Sequence, residues 1–189
     1  MAKAPANAEI EIKLPLKSAE QGRRLLRKAG FRVIQRRHHE QNAVFDHPKG
    51  YFRSRGILIR LRTTGKTATL TYKKPLASSK HKARKEMETP APHPELVQET
   101  LESLGLRVVF RYEKFRTVYQ RKGEPGHATL DETPIGVYLE LEGPPDWIDA
   151  TASRLGFSEE DYITQSYADL FQQNRPKGST RKHMLFRHG

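Results

Sequence analysis

The stretch Glu9–Leu14 reads EIEIKL: every second residue is charged and every residue between is aliphatic. Successive side chains of a β-strand point to opposite faces, so Glu9, Glu11 and Lys13 share one face and Ile10, Ile12 and Leu14 the other. A half-buried strand ordinarily alternates apolar with mixed polar residues, the polar face in water. Here the polar face is all charge, and the pattern returns along the chain. Arg60 and Arg62 alternate with Ile59 and Leu61, Arg84, Glu86 and Glu88 share one parity, Lys114 and Arg116 another, and Glu140 and Glu142 flank Leu141.

Any one of these rows reads as the solvated face of an antiparallel sheet. Together they imply more, because like charges two residues apart on a strand sit about 7 Å from each other and repel. Carboxylate pairs of this kind suit a divalent cation, and hard oxygen ligands favour Mg²⁺ or Mn²⁺. The basic rows require an anion with charge spread along its length, which a chain of phosphates provides. Turned inward, the rows give a barrel interior with an acidic side for metal and a basic side for phosphate.

The 189 residues suffice for one domain with its own core. Residues 1–174 read as that domain, with a lead-in to about Ala8. Residues 175–189 read as a flexible basic tail that aids solubility. There is no cysteine, which excludes disulfides and thiolate metal sites and is compatible with a reducing cytoplasm. No run approaches a membrane span and the N-terminal residues lack the apolar stretch of a signal peptide, so a soluble, cytoplasmic protein without a membrane partner is expected. The formal charge of +12 falls to +7 without the last fifteen residues, which hold five Lys/Arg and no acid. Nucleic acid, an anionic membrane and polyphosphate all fit such a charge.

Four helices are punctuated by caps. Ser18 with Gln21 forms a capping-box pattern before Leu25 and Leu26, and Gly30 ends that helix. His93-Pro94 opens a second, carrying Leu96, Val97, Leu101 and Leu104 up to Gly105. A third runs from Asp146 to Leu155, with Trp147 packed in the core. Ser158 and Asp161 cap a fourth, with Ile163, Tyr167, Leu170 and Phe171 at helical spacing. Gly30, Gly105 and Gly156 each precede an apolar residue, as left-handed C-caps packed on a sheet do. Strands are expected at 8–15, 31–45, 57–63, 67–74, 83–89, 106–120 (with a break allowed), 127–132 and 136–142. GEPGH, 123–127, reads as a hairpin loop, and 74–85 as a basic connection that is either a lid or a plain loop. These elements give an α+β class, a barrel or a strongly curved sheet. With the charged rows turned inward, the expectation is an eight-stranded antiparallel β-barrel tunnel with flanking helices.

The residues also resemble a known family. EIEIK (Glu9, Glu11, Lys13) is similar to the ExExK signature of the CYTH superfamily, the triphosphate tunnel metalloenzymes. VFDHP (44–48), LIRLR (58–62), LTYKKP (70–75), ARKEMET (83–89), EKFRTVY (113–119), LDETPIGVYLELEG (130–143) and SYADLF (166–171) resemble further blocks of that family in its order. The resemblance implies that Glu9, Glu11, Asp131, Glu140 and Glu142 hold one or two divalent ions, with Glu86 and Glu88 as additional tunnel residues. It implies that Lys13, Arg60, Arg62, Lys73, Arg84, Lys114 and Arg116 bind the triphosphate, and that Lys13 is catalytic. Lys74, of opposite parity to Lys73, is expected outside. Some hydrolase members carry a tyrosine where Val44 stands, which puts a Lys–Tyr base pair in doubt here.

Three functions follow. The first is metal-dependent hydrolysis of a small molecule containing a triphosphate: inorganic tripolyphosphate, or a nucleoside or thiamine triphosphate. The second is the class IV adenylyl cyclase reaction, which yields cyclic AMP and pyrophosphate. The third, a non-catalytic polyphosphate- or nucleic-acid-binding module, is disfavoured because carboxylates weaken a polyanion groove. The eight histidines show no metal-finger spacing, and oligomeric state is open between monomer and homodimer.

Overall fold

A computed structural model describes residues 8–76, 80–176 and 178–187. The lead-in before Ala8, residues 77–79 of the basic connection, and Lys177, His188 and Gly189 of the tail lie outside them. Eight strands form the barrel: β1 (Ala8–Leu16), β2 (Arg32–Asp46), β3 (Leu58–Thr64), β4 (Thr67–Pro75), β5 (Lys82–Pro90), β6 (Arg107–Gln120), β7 (His127–Thr133) and β8 (Gly136–Glu142). The barrel closes in the order β1-β5-β4-β3-β2-β6-β7-β8, and neighbouring pairs run antiparallel. Helices α1 (Ala19–Lys28), α2 (Pro94–Ser103), α3 (Pro145–Leu155) and α4 (Tyr167–Asn174) pack against it. Among the described residues no helix is long and apolar enough to cross a membrane.

The alternation of EIEIKL decides where the core lies. Ile12 and Leu14 point outward and join Leu26 of α1, Trp147 and Ile148 of α3, and Leu130, Leu139 and Leu141 of β7 and β8. The aliphatic face of the sheet is thus covered by helices, and the charged face turns into the barrel. Glycines close the helices as their positions predict. Gly30, Gly105 and Gly156 have φ of 83°, 86° and 89°, and the next residue's N–H donates five residues back, from Phe31 to Leu26 O at 2.9 Å and from Phe157 to Ala152 O at 3.0 Å.

Several boundaries differ from the sequence reading. The Ser18 hydroxyl accepts from Gln21 N at 3.1 Å, but the Gln21 side chain accepts from Lys17 N, one residue before the expected partner. Residues 107–120 form one unbroken strand, paired with β2 from end to end; two of the three register shifts place the extra residue in β2 and one places it in β6, at Val109. Leu96 and Leu104 of the second helix are exposed, so Val97 and Leu101 carry its packing.

The fourth helix starts late. Ser158 and Asp161 close only the 3₁₀ turn Glu159–Asp161, and a second capping box of Ser166 and Asp169 opens α4. Ile163 between them is extended, because β1 loses β5 as a neighbour beyond Glu11. Ile163 takes that free edge, exchanging N–H···O bonds of 2.9 Å with Lys13 in both directions. An unpaired buried peptide group costs more than one turn of helix supplies.

A matching gap holds part of the C-terminal segment. β6 pairs with β7 only from Phe115 onward, and Met184 fills the edge before it. Its N–H donates to Arg111 O, and its carbonyl accepts from Glu113 N, each at 2.9 Å. Met184 is fully buried, and Phe186 lies 5.2 Å from Phe115, ring centre to ring centre. Residues 183–186 of the expected flexible tail therefore lie against the barrel.

Gly126 has no room for a side chain: a Cβ there would meet the Trp147 ring at 2.4 Å and Glu142 O at 2.7 Å. Gly126→Ala should cost roughly 1–3 kcal/mol, and a thermal melt should show a midpoint several degrees lower. An unchanged midpoint would show that Trp147 can move aside.

Candidate functional site

The inward rows enclose a tunnel of about 1050 Å³. The strand order places β1 and β8 side by side, with β2 four strands from β1 and β3 four strands from β8 on either route around the barrel. The register then sets carboxylates beside one another. Glu11 pairs with Glu142, Lys13 with Glu140, and Glu9 with Arg84 of β5. Glu9, Glu11, Glu140 and Glu142 form the acidic wall; Arg60 and Arg62 of β3 lie opposite it, and Lys114 and Arg116 of β6, two strands from β8, carry the basic side round to Glu140.

Lys13 sits inside the acidic wall, its Nζ 3.1 Å from Glu11 Oε1 and 3.2 Å from Glu140 Oε1. Burial alone would depress the Lys13 pKa, but Glu11 and Glu140 outweigh it and raise it. Lys73 donates to Glu9 Oε1 at 2.5 Å and to Glu86 at 3.0 Å, while Lys74 is exposed. Lys82 Nζ lies 2.8 Å from Glu11. Its pKa falls to about 8 through burial and the nearby Lys13 and Arg84, against the pull of Glu11.

On the basic side, Arg60 donates to the Tyr112 hydroxyl and to Thr71 Oγ1, both at 3.2 Å. Arg62 donates to Glu88 at 3.1 Å. Arg116 grips Asp131 with two bonds of 2.7 and 2.6 Å and also reaches Glu140. Lys114 and the Tyr167 hydroxyl donate to the same Asp131 at 2.8 Å each. Among the described residues three buried guanidinium N–H groups point to no protein acceptor: Nε of Arg60 and Arg62 here, and Nε of Arg84 beside Glu9.

The sequence-predicted residues therefore converge on one cavity, with different fits to their expected partners. Among the described residues no three carboxylate or imidazole groups form a ready-made metal cage, because lysines sit between the acids. The acidic wall nevertheless carries more negative charge than its lysines offset. Glu9 Oε2 is buried without a partner, and burial together with Glu9, Glu11 and Glu140 pushes Glu142 up to about 8. Hard oxygens with uncompensated charge suit a divalent ion. Asp131 does not fit that part, since it is fully buried and its oxygens already serve Lys114, Arg116 and Tyr167. Glu86 lies with Lys73, and Glu88 lies within reach of Arg60, Arg62 and Thr71.

Sequence reasoning missed five residues here: Glu40, Asn42, Lys82, Tyr112 and Tyr167. Lys82 shares the parity of Arg84, a signal that was available. The inner row of β2, His38, Glu40, Asn42 and Val44, mixes residue types and gives none. Glu40 is 2% exposed, 3.5 Å from Arg62 and 3.6 Å from Lys114. Burial would raise its pKa, but Lys114, Arg116, Arg62 and Arg60 hold it far below the usual carboxylate range.

Comparison with known proteins follows the same lines. The CYTH domain matches residues 7–167. A Methanocaldococcus jannaschii protein, provisionally named an adenylate cyclase, is 28% identical over 135 residues, 71% of this chain and 75% of its own. A Vibrio parahaemolyticus structure of the same provisional name superposes with a TM-score of 0.76 at 19% identity, covering 89% of this chain and 99% of its own. A Pyrococcus horikoshii protein gives 0.73 at 24% identity, over 86% of this chain and 98% of its own. A Hippeastrum protein, named provisionally as an adenylyl cyclase and described as having a dominant triphosphatase activity, gives 0.65 at 19% identity, over 90% and 97%.

Glu40→Gln tests the charge balance of the basic wall. Removing one partner of a buried pair should cost about 3 kcal/mol at neutral pH. A carboxylate depressed in the folded state stabilises above its unfolded pKa of about 4.3 and loses that contribution as pH falls. The gap in melting temperature between wild type and variant should therefore be full at pH 6 and narrow towards pH 3. A gap independent of pH would show that Glu40 is not held ionised by its neighbours.

Proposed function

Because the chain belongs to the CYTH domain family, we propose that it is a divalent-metal-dependent phosphohydrolase acting on a triphosphate compound inside the barrel. The observation that carries this reading is the pair of opposed walls. A tunnel for a polyanion alone would have no use for Glu9, Glu11, Glu140 and Glu142, and a metal site alone would have none for three unpaired arginine N–H groups. The triphosphatase activity named for the Hippeastrum relative supports it.

In this reading Arg60, Arg62, Arg84, Lys73, Lys114 and Arg116 bind the non-bridging phosphate oxygens, and the free Nε donors mark where three of them meet the ligand. Asp131 orients Lys114 and Arg116 rather than holding metal. Glu9, Glu11, Glu140 and Glu142 would hold Mg²⁺ or Mn²⁺, which when bound neutralises phosphate charge. Water attacks the terminal phosphorus and gives up its proton to solvent, and the bond from that phosphorus to the bridging oxygen breaks. The diphosphate portion leaves with the electron pair on that oxygen, while the attacked phosphorus departs as orthophosphate. Charge then grows on that oxygen, and Lys13, fixed between Glu11 and Glu140, is placed to stabilise it without reorganisation.

The cyclase reading is the alternative. It rests on the names of the Methanocaldococcus and Vibrio relatives and on apolar side chains Val44, Leu58 and Phe110 along the tunnel, which could receive a base.

Incubation with tripolyphosphate and with ATP, each with Mg²⁺ or Mn²⁺, should release orthophosphate. Cyclic AMP with pyrophosphate would select the cyclase instead, and no turnover of any triphosphate would overturn both. Arg62→Ala should raise KM about tenfold with a much smaller change in kcat, since the contact exists alike in ground and transition states. Wild-type kinetics in that variant would remove Arg62 from the phosphate site.

A further inference from the structure

Tyr167 enters the tunnel from α4 rather than from the barrel. Its ring lies beneath two lysines, 5.3 Å from Lys13 Nζ and 5.2 Å from Lys114 Nζ, both within cation–π range. Its hydroxyl donates to Asp131 Oδ2 at 2.8 Å, the carboxylate that also holds Lys114 and Arg116. The residue is 6% exposed, so both contacts operate away from bulk water and are stronger for it. Burial and the neighbouring Asp131 and Glu140 raise its pKa far above the ordinary phenol value, against the pull of Arg116. Tyr167 thus remains a neutral donor and cannot serve as a base.

Its position is fixed by the two edges that the barrel leaves open. Ile163 is bound to Lys13 and Met184 to β6. Between them α4 begins at the Ser166–Asp169 capping box, and Leu170, Phe171 and Met184 pack with Phe110, Tyr112 and Tyr138. Residues 163–176 and 178–186 therefore supply wall where the eight strands do not.

We infer that Tyr167 is a positioning residue that joins the two walls, its ring seating Lys13 and its hydroxyl seating the Asp131–Lys114–Arg116 group. The inference rests on the triphosphatase reading, and its two halves predict different kinetic losses. The ring acts through Lys13, which the reaction uses as charge develops, so it bears on kcat. The hydroxyl acts through Asp131 on two phosphate-binding cations, so it bears on substrate binding.

The experiment compares Tyr167→Phe and Tyr167→Leu with wild type in steady-state hydrolysis of tripolyphosphate, and in calorimetric binding of tripolyphosphate with EDTA present. Tyr167→Phe should keep kcat within twofold while weakening metal-free binding about threefold. Tyr167→Leu should weaken binding similarly and lower kcat about tenfold at saturating substrate. A residue that only supports the fold would lower the melting temperature and the active fraction of both variants without this division. Equal kcat in the two variants, or unchanged binding in both, overturns the inference. Should Tyr167→Leu fail to fold, binding by Tyr167→Phe decides alone, and wild-type affinity there overturns it. Wild-type protein that binds tripolyphosphate but cleaves no triphosphate compound would instead sink the triphosphatase reading, with the binding comparison still able to test the hydroxyl.

Discussion

Every charged side chain turned into a closed barrel must find an opposite charge there, and the rest of this structure follows from that requirement. A buried ion left alone costs several kcal/mol even after relaxation. The tunnel side chains described above comprise eight acids (Glu9, Glu11, Glu40, Glu86, Glu88, Asp131, Glu140 and Glu142) and eight bases (Lys13, Arg60, Arg62, Lys73, Lys82, Arg84, Lys114 and Arg116). They cancel, so the formal surplus of +12 in the whole chain lies outside them. The basic composition thus has nothing to do with the tunnel. What equips the tunnel for an anion is an unequal arrangement: the free N–H groups of Arg60 and Arg62 on one side, a carboxylate cluster with an unpartnered oxygen on the other, and the free N–H of Arg84 at the edge of that cluster beside Glu9.

Charge inside forces the hydrophobic core outside. Packing of Ile12, Leu14, Leu130, Leu139 and Leu141 against α1 and α3 stabilises the barrel from its outer surface. Because aliphatic and charged residues alternate with a period of two, a slip of one residue in any strand would bury charge beneath a helix and put leucine in the tunnel. The stability of the fold and the chemistry of the tunnel therefore select the same register.

This coupling explains what could be read in the sequence. The strand positions, the barrel and the like-charged rows were legible because one alternation specifies both faces. The glycine C-caps were legible because they are local. Glu40 was hidden because its row also holds His38, Asn42 and Val44, and its meaning depends on Lys114 and Arg62, far away in sequence. Asp131 was given a metal role only through the family resemblance, since its alternation shows nothing of the partners that reach it from β6 and α4. The start of α4 was misplaced because Ser158–Asp161 is a sound local cap, overridden by the free edge of β1.

Those free edges tie the end of the chain to the site. A barrel whose strands differ in length leaves peptide groups unpaired where a long strand outruns its neighbour, as β1 does past Glu11 and β6 does before Phe115. Such groups must be satisfied by whatever chain can reach them. Ile163 and Met184 do so through paired backbone bonds, and this fixes α4 between them without any charge being involved. Backbone hydrogen bonding at two edges thereby delivers Tyr167 to the interior, where electrostatics holds it against Asp131. The polar interior thus recruits Tyr167 from outside the barrel, at the end where strand edges are left for other chain to pair.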